Sequence, residues 1–496
     1  MMKGFWMARA VVLAAAMSLA IACGPTTVRA QAAPEPPRFQ SSGNTEFDAW
    51  RADFARRAVE RGRDPAVLAR LLSGIAPDDR IIELDRRQPE FVAPVWDYVT
   101  NRVTTRRIQD GMQLKNTIRP TLEAVQQRYG VPTGIILGIW GLESNYGEAA
   151  LNYDAAAALS TLAYEGRRRQ QFETYLMALT EMVERGLADR AQLSSSWAGA
   201  LGQPQFMPDV YLTTAVDWDG DGHRDIWTNR GDVAASIGNY LADRGWRRGE
   251  PVFEEVRLPD GFDYALADGT ARSVADWAER GVRSVGGGAL PAEHWQLQAQ
   301  LWLPAGAQGP ALLLHHNFGV IRRYNNSDRY ALVVALLART FDGGSSELVR
   351  AWPRAVGSLN REQTLELQTL LNGLGFDAGE ADGLFGSKTR AAVRAFQASA
   401  SLPADGFPTA SLLTRIRDRA GVSPPEAART PRGLQRAGIR ELQRLLNRLG
   451  YGAGPADGAI GSRTRAAIRS FERDRGMEVR GRATDVVLEA ARAAAG

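Results

Sequence analysis

The chain of 496 residues contains a single cysteine, Cys23. One thiol cannot close an intramolecular disulfide, and it cannot build a cysteine-based zinc site. Histidine is almost as scarce. The four present (His223, His294, His315, His316) are too scattered to suggest a transition-metal centre. Lysine occurs only at Lys3, Lys115 and Lys388, so nearly all positive charge is arginine. The formal net charge is +4, and without the first thirty residues, which hold Lys3, Arg9, Arg29 and no acid, it is +1. That balance leaves no basic footprint for nucleic acid. The chain also lacks the Gly-x-Ser-x-Gly elbow of many serine hydrolases. Its one long apolar run, residues 10–22, spans 13 positions, too few to cross a bilayer comfortably. A polytopic membrane protein is excluded.

That run follows Lys3 and Arg9, which is the layout of a secretory signal peptide. Val28-Arg29-Ala30 presents small residues at a cleavage site, so residues 1–30 are expected to be removed. Leu19-Ala20-Ile21-Ala22-Cys23 is a competing site, resembling a lipobox shifted by one position. Export to the periplasm or cell envelope is expected either way, with membrane attachment only if Cys23 is lipidated. Residues 31–45, rich in Pro, Ser and Ala, read as a flexible lead-in.

The C-terminal part is duplicated. Leu367-Gln368 through Leu374-Gly375 recurs as Leu442-Gln443 through Leu449-Gly450, and Asp382-Gly383 with Gly386, Thr389 and Phe396 recurs as Asp457-Gly458 with Gly461, Thr464 and Phe471, always offset by 75. Leu367, Leu370, Leu371 and Leu374 share one helical face. Gly375 stops that helix, Asp382-Gly383 makes a turn, and Ser387 is expected to cap the next helix. A phosphate loop at 383–389 is excluded, because the Gly-Lys-Ser/Thr order is absent. The copies occupy 360–416 and 437–492, with a Pro-containing linker over 417–436. Upstream, 46–355 is one large unit, with helical periodicity at 47–61, 64–73, 108–129, 134–142, 169–185 and 233–244. Residues 252–300 suggest a few short strands. The fold class is mainly α (α+β).

Within the large unit, Gly134-Ile-Ile-Leu-Gly-Ile-Trp-Gly-Leu-Glu143 sets a lone acid at the end of an apolar helix. Ile136 and Trp140 share its face. Burial beside them raises a carboxyl's pKa, which suits a general acid. The plain alternative is a satisfied helix-end carboxylate. Residues 194–208 form a Gly- and Ser-rich loop in which Ser196 and Gln205 offer hydrogen bonds while Trp197 and Phe206 offer flat apolar surface. Such groups hold sugars, or simply pack a polar loop. Asp217-Trp-Asp219-Gly-Asp221-Gly222-His223 matches the opening of a calcium loop, but Thr228 stands where the closing Glu belongs. A solvated acidic turn is the alternative.

Together these stretches resemble the B-type membrane-bound lytic transglycosylases of bacterial cell walls (glycoside hydrolase family 103). The matching motifs are Gly141-Leu-Glu143-Ser-x-Tyr-Gly147, Ala198-Gly-Ala-x-Gly-x-x-Gln205-Phe-Met-Pro208, Asp217 through His223, Asn239-Tyr240, and Asn317-Phe-x-Val-Ile-x-Arg-Tyr324-Asn325. Pro204 departs from the Gly familiar in that family. The duplicated segments resemble peptidoglycan-binding modules of wall hydrolases. The resemblance implies a lysozyme-like catalytic domain with a small β portion, followed by two small three-helix peptidoglycan-binding domains. It further implies Glu143 as sole acid/base, with Ser196, Gln205, Phe206, Tyr240, Tyr324 and Asn325 at the glycan. It implies that Asp232 closes a structural calcium site with Asp217, Asp219, Asp221 and the His223 carbonyl, while the chemistry needs no cofactor. The expected partners are peptidoglycan glycan strands, and wall-synthesis proteins stay open. A hydrolytic muramidase and a non-catalytic wall scaffold are the competing readings.

Overall fold

The computed structural model describes residues 35–86, 94–354, 359–422 and 433–495. The expected signal peptide with Cys23, and the linker positions 423–432, lie outside them. Twenty α-helices and seven short strands occur among the described residues. None of those helices is long and apolar enough to cross a membrane.

The chain divides into two compact units. One gathers residues up to Glu83, Asn152–Ala200 and Met207–Asp209; the other holds Leu84–Leu151, Leu201–Phe206 and Val210–Gly496. In the first, helices Thr45–Glu60 and Pro65–Leu72 start where Asn44 and Asp64 accept hydrogen bonds from first-turn N–H groups, and Pro65 already has a helical φ. Helices Ala155–Glu165 and Arg169–Glu184 pack with them. Arg57 and the Trp50 indole both reach Glu173, at 2.8 and 3.0 Å. A two-residue ribbon pairs Tyr153 with Ser195 and Asp154 with Ser194.

In the second unit the periodicity over 108–129 proves to be two helices, Thr105–Thr117 and Arg119–Tyr129. The chain bends at Ile118 (φ −117°, ψ 28°) because Pro120 has no N–H to continue the ladder and is tolerated only in a first turn. Helix Thr133–Ser144 is apolar all round, and every residue from Thr133 to Gly141 is buried. It packs on helix Asp328–Phe341 more closely than side chains would allow. A Cβ on Gly134 would sit 2.7 Å from the Ala338 carbonyl oxygen, and one on Gly138 would sit 2.9 Å from that of Val334. The β portion is one antiparallel sheet, in the order Arg272–Ser273, Gln298–Trp302, Ala311–Leu314, Phe253–Arg257, Arg283–Ser284. It extends past the expected 252–300, because the apolar run at 311–314 pairs on both edges.

Each duplicated segment is a three-helix unit: Arg361–Gly373, Ser387–Ser399 and Ala410–Ala420, then Arg436–Arg448, Ser462–Asp474 and Asp485–Ala495. The repeated polar residues build the fold. Gln368 donates to Asp382, the Leu384 carbonyl and Thr389, and accepts from the Gly383 N–H; Gln443 does the same with Asp457, Ala459, Thr464 and Gly458. Ser387 is not a cap. Gly386 takes that position without a side-chain bond, and Ser387 begins the helix.

Replacing Gly134 by Ala should destabilise the protein by about 1–3 kcal/mol, because overpacking outweighs the better helix propensity of Ala. Gly319, in helix His316–Tyr324 with nothing within 4 Å of its would-be Cβ, is the control. Gly319→Ala should leave the melting temperature unchanged or raise it. Thermal melts showing equal effects at both positions would contradict the close-packing argument.

Candidate active site

Glu143 enters its site from the penultimate position of the buried helix, one residue before Ser144. Asn145 (φ 48°) and Tyr146 (φ 60°) then turn the chain through the left-handed region. Neither gains from glycine's freedom, so the turn is held from outside. The Tyr146 hydroxyl donates to the Arg107 carbonyl at 3.1 Å, and Arg107 Nε donates to the Gly141 carbonyl at 3.0 Å. Gly141 has no side chain because a Cβ there would meet the Tyr146 hydroxyl at 2.6 Å.

Glu143 as a whole residue is half-buried. Even so, burial pushes its pKa up to about 7, and the hydrogen bond from Tyr330 pulls the other way. The Tyr330 hydroxyl donates to Glu143 Oε1 at 2.6 Å. Burial and the Glu143 charge hold the Tyr330 phenol well above its usual range, so it remains a donor. Among the described residues, no other carboxylate contributes to the Glu143 shift. Glu148 is exposed and occupied by Arg106 (3.2 Å) and the Asn145 amide (2.8 Å).

Three expected site residues meet around this carboxyl's neighbourhood. Phe206, Tyr240 and Tyr324 form an aromatic cluster, with ring centroids 4.6 Å apart for the tyrosine pair and 5.7 and 6.0 Å from Phe206 to Tyr240 and Tyr324. The Tyr324 hydroxyl donates to the Pro204 carbonyl at 2.6 Å, and the Tyr240 hydroxyl donates to the Arg323 carbonyl at 2.5 Å. Burial raises the Tyr324 phenol well above its ordinary value, and the Glu143 charge adds to it. Gln205 sits at φ 54° in a loop closed by the Leu201–Phe206 bridge, with its amide donating to the Gly202 carbonyl at 2.9 Å. Asn325 is exposed at the end of helix His316–Tyr324. Ser196 belongs to the other unit, where its hydroxyl accepts from the Ala200 N–H at 3.2 Å.

Two residues here went unremarked in the sequence. Tyr330 lies 187 positions from Glu143 and carries no local signature. Gln203 is the brace between the Glu143 helix and the loop. Its side-chain oxygen accepts from the Trp140 indole at 2.8 Å, and its amide donates to the Trp227 carbonyl at 2.7 Å. A Cβ on Gly147 would meet the Gln203 amide group at 2.6 Å, so the turn after Glu143 also rests on it.

In the acidic loop, carboxylate oxygens of Asp217, Asp219 and Asp221 all lie within 4.8 Å of one another. Gly220 (φ 76°) and Gly222 (φ 92°) supply the left-handed backbone that folds the loop inward. Burial works upward on Asp217, but the Gly222 and Gly220 N–H groups hold it below its usual value. The His223 side chain is exposed. Asp232 is fully buried and accepts from the Trp218 and Asp225 N–H groups at 2.8 and 2.7 Å. Burial raises its pKa to about 6 against those two bonds, and the charges of Asp219 and Asp217 add to the rise.

Comparison with known proteins places this geometry. The profile of the transglycosylase SLT domain matches residues 46–339, and that of the peptidoglycan binding domain matches 360–416 and 435–490. Membrane-bound lytic murein transglycosylase B of Escherichia coli K12 is 32% identical over 242 residues, which is 47% of this chain and 63% of that protein's length. The structure of SltB3 from Pseudomonas aeruginosa in complex with NAG-anhNAM-pentapeptide is 43% identical, with a TM-score of 0.72 over 75% of this chain and all of that one. Escherichia coli lytic transglycosylase Slt35 in complex with calcium is 29% identical, with a TM-score of 0.51 over 60% of this chain and 93% of its own. With more than half of its length matched by one domain profile, the chain belongs to the transglycosylase SLT family.

Proposed function

We propose that the protein is a lytic transglycosylase that cleaves the bond between N-acetylmuramic acid and N-acetylglucosamine in peptidoglycan. It would leave 1,6-anhydro ends and act in cell-wall remodelling within the envelope. One observation carries this reading: a lone carboxyl, raised to about 7 by burial, that keeps a phenolic donor on one oxygen. Most glycosidases need a second carboxylate as base or nucleophile. A transglycosylase needs one group to serve twice.

In the first step Glu143 protonates the bridging oxygen, which departs with the N-acetylglucosamine side. The oxocarbenium-like charge left at C1 is met by the substrate's own acetamido oxygen. Glu143 is then a carboxylate, and the Tyr330 hydroxyl stabilises that anion at Oε1. In the second step Glu143 takes the proton from the muramic C6 hydroxyl, whose oxygen closes on C1. Water is not consumed. The burial that favours the acid and the donor that favours its anion keep both forms accessible near neutral pH. Phe206, Tyr240 and Tyr324 supply the apolar wall for the sugar faces, and Gln205 and Asn325 supply neutral polar groups.

The acidic loop fits a structural calcium ion. Oxygen ligands at alternate positions and Gly at the sixth are what calcium prefers, and the clustered carboxylates of Asp217, Asp219 and Asp221 would hold it with the His223 carbonyl. Asp232 lies outside that cluster, with each carboxylate oxygen accepting a backbone N–H, and would close the loop only through a remaining lone pair. Three carboxylates this close repel one another until a cation neutralises them. The ion would stiffen the loop before helix Arg230–Asp243, which carries Tyr240, and would take no part in the proton transfers.

Glu143→Gln should abolish release of soluble muropeptides from purified sacculi while leaving the fold intact. Wild-type products should be lighter than hydrolytic ones by one water and lack a reducing end. Uptake of labelled solvent oxygen would instead make the enzyme a muramidase. Tyr330→Phe removes the bond that lowers the Glu143 pKa, so that pKa should rise. The descending alkaline limb of kcat/KM, set by loss of the acid form above about 7, should move to higher pH. The value of kcat should fall about 10–100-fold; an unmoved limb would remove Tyr330 from the site's electrostatics. Calcium in large excess over its Kd should stabilise the protein by about 2–3 kcal/mol, more than magnesium does, and Asp217→Ala should erase the effect. A melting curve indifferent to calcium and to chelator would return the loop to an acidic turn.

A further inference from the structure

The two C-terminal modules share a fold but not a charge. Over the matched stretches 360–415 and 435–490, the first holds five basic and six acidic residues, and the second eleven and seven. Much of the excess lies on one helix. Arg436, Arg440, Arg444 and Arg448 recur every four residues along Arg436–Arg448, and all four are exposed. The same positions of the first module hold Arg361, Leu365, Thr369 and Gly373. Like charges one turn apart on a helix repel one another. That repulsion is relieved only in part: Arg444 lies in the field of Glu441, Arg436 in that of Asp457, and Arg440 Nε donates to the Asp457 carbonyl at 3.2 Å. None of the four makes an ion pair among the described residues. Glu441 on the same helix is taken by Arg492 at 2.7 Å, and Asp457 is taken by the Gln443 amide and the Ala459 N–H.

A second difference points the same way. In the first module Asp405 accepts from the Ala307 N–H at 2.7 Å, and a Cβ on Gly306 would meet Asp405 and Phe407 at 2.6 and 2.7 Å. That face is thus seated on the β portion of the chain. The equivalent positions in the second module are Arg480 and Arg482, both exposed, with Arg480 paired to the neighbouring Glu478. The second module cannot make the same docking contact.

We propose that the second module is an anion-reading module whose arginine stripe binds the carboxylates of peptidoglycan stem peptides. This rests on the wall-binding reading of the family and names the group recognised. The glycan backbone offers only neutral amides and hydroxyls, whereas the peptides on muramic acid carry the polymer's negative charge. Guanidinium forks match carboxylates in a bidentate geometry. At 1.5 Å per residue the stripe places a fork about every 6 Å along about 18 Å, enough to meet several carboxylates at once. The first module, docked and carrying no net positive charge, fixes position; the second supplies the charge.

The test uses the full chain carrying Glu143→Gln, sedimented with purified sacculi. Binding should weaken about tenfold as salt rises from about 50 to about 500 mM, since exposed charges are screened. Adding Arg440→Glu and Arg444→Glu should weaken it about tenfold at low salt. The milder Arg→Gln pair should weaken it less and control for folding, together with an unchanged melting temperature. Sacculi whose carboxylates have been converted to neutral amides with a carbodiimide and excess ethanolamine, cross-links intact, should bind the parent and the charge-reversed chain alike. Binding that ignores salt, charge reversal and carboxylate blocking would overturn the inference while leaving the module a wall binder. A parent chain that binds no sacculi at all would overturn the wall-binding reading and the inference with it. Preference of the stripe for anionic phospholipid vesicles over intact sacculi would also overturn it.

Discussion

The site depends on how closely two helices touch. Gly134 and Gly138 leave no side chain between helix Thr133–Ser144 and the backbone of Ala338 and Val334 in helix Asp328–Phe341. That contact fixes the axial register of the pair. Glu143, at the far end of one helix, therefore meets Tyr330 near the start of the other at 2.6 Å. Larger residues at either glycine would push the helices apart and loosen the hydrogen bond from Tyr330 to the carboxyl. The core of the unit and its chemistry thus rest on the same two positions.

Two opposed influences then act on one group. Burial disfavours the carboxylate, and the Tyr330 donor favours it, with the result that the pKa comes to about 7 instead of the ordinary value near 4.5. A deeper pocket without a donor would trap the acid; an exposed carboxyl would already have lost its proton at neutral pH. The loop 201–206 and the turn 145–147 form the surround that sustains this balance. Gln203 ties both to Trp140, directly through the indole and sterically through Gly147. The acidic loop plays its part at a distance, by anchoring the start of the helix that carries Tyr240 through Asn229 and Asp232.

Much of this was legible in the residues. Glu143 at the end of a wholly apolar, glycine-spaced helix is a local pattern, as is a repeat offset by 75 positions. Short-range signals failed where the deciding partner was remote or the competing local rule stronger. Tyr330 sits in an ordinary amphipathic helix, and only the tertiary contact makes it matter. Pro120 overrode the apolar periodicity that runs through 108–129 and split the helix at Ile118. Ser387 looked like a cap, but Gly386 already adopts the extended conformation required one position earlier. The polar residues shared by the repeats, Gln368 and Gln443 above all, turned out to close their own turns. What distinguishes the modules is what they do not share, the arginines of the second copy.

Glu143 keeps its proton far above the ordinary carboxylate range, and both of its forms are populated near neutral pH, because its burial outweighs the donor beside it. Its titration can be read directly from carboxyl infrared or carbon-13 signals, as the difference between the wild type and Glu143→Gln. A midpoint near 7 is the predicted result. A midpoint in the ordinary carboxylate range, about 4–5, would mean that Glu143 is ionised when substrate arrives, and a single-carboxyl mechanism on this geometry would be contradicted.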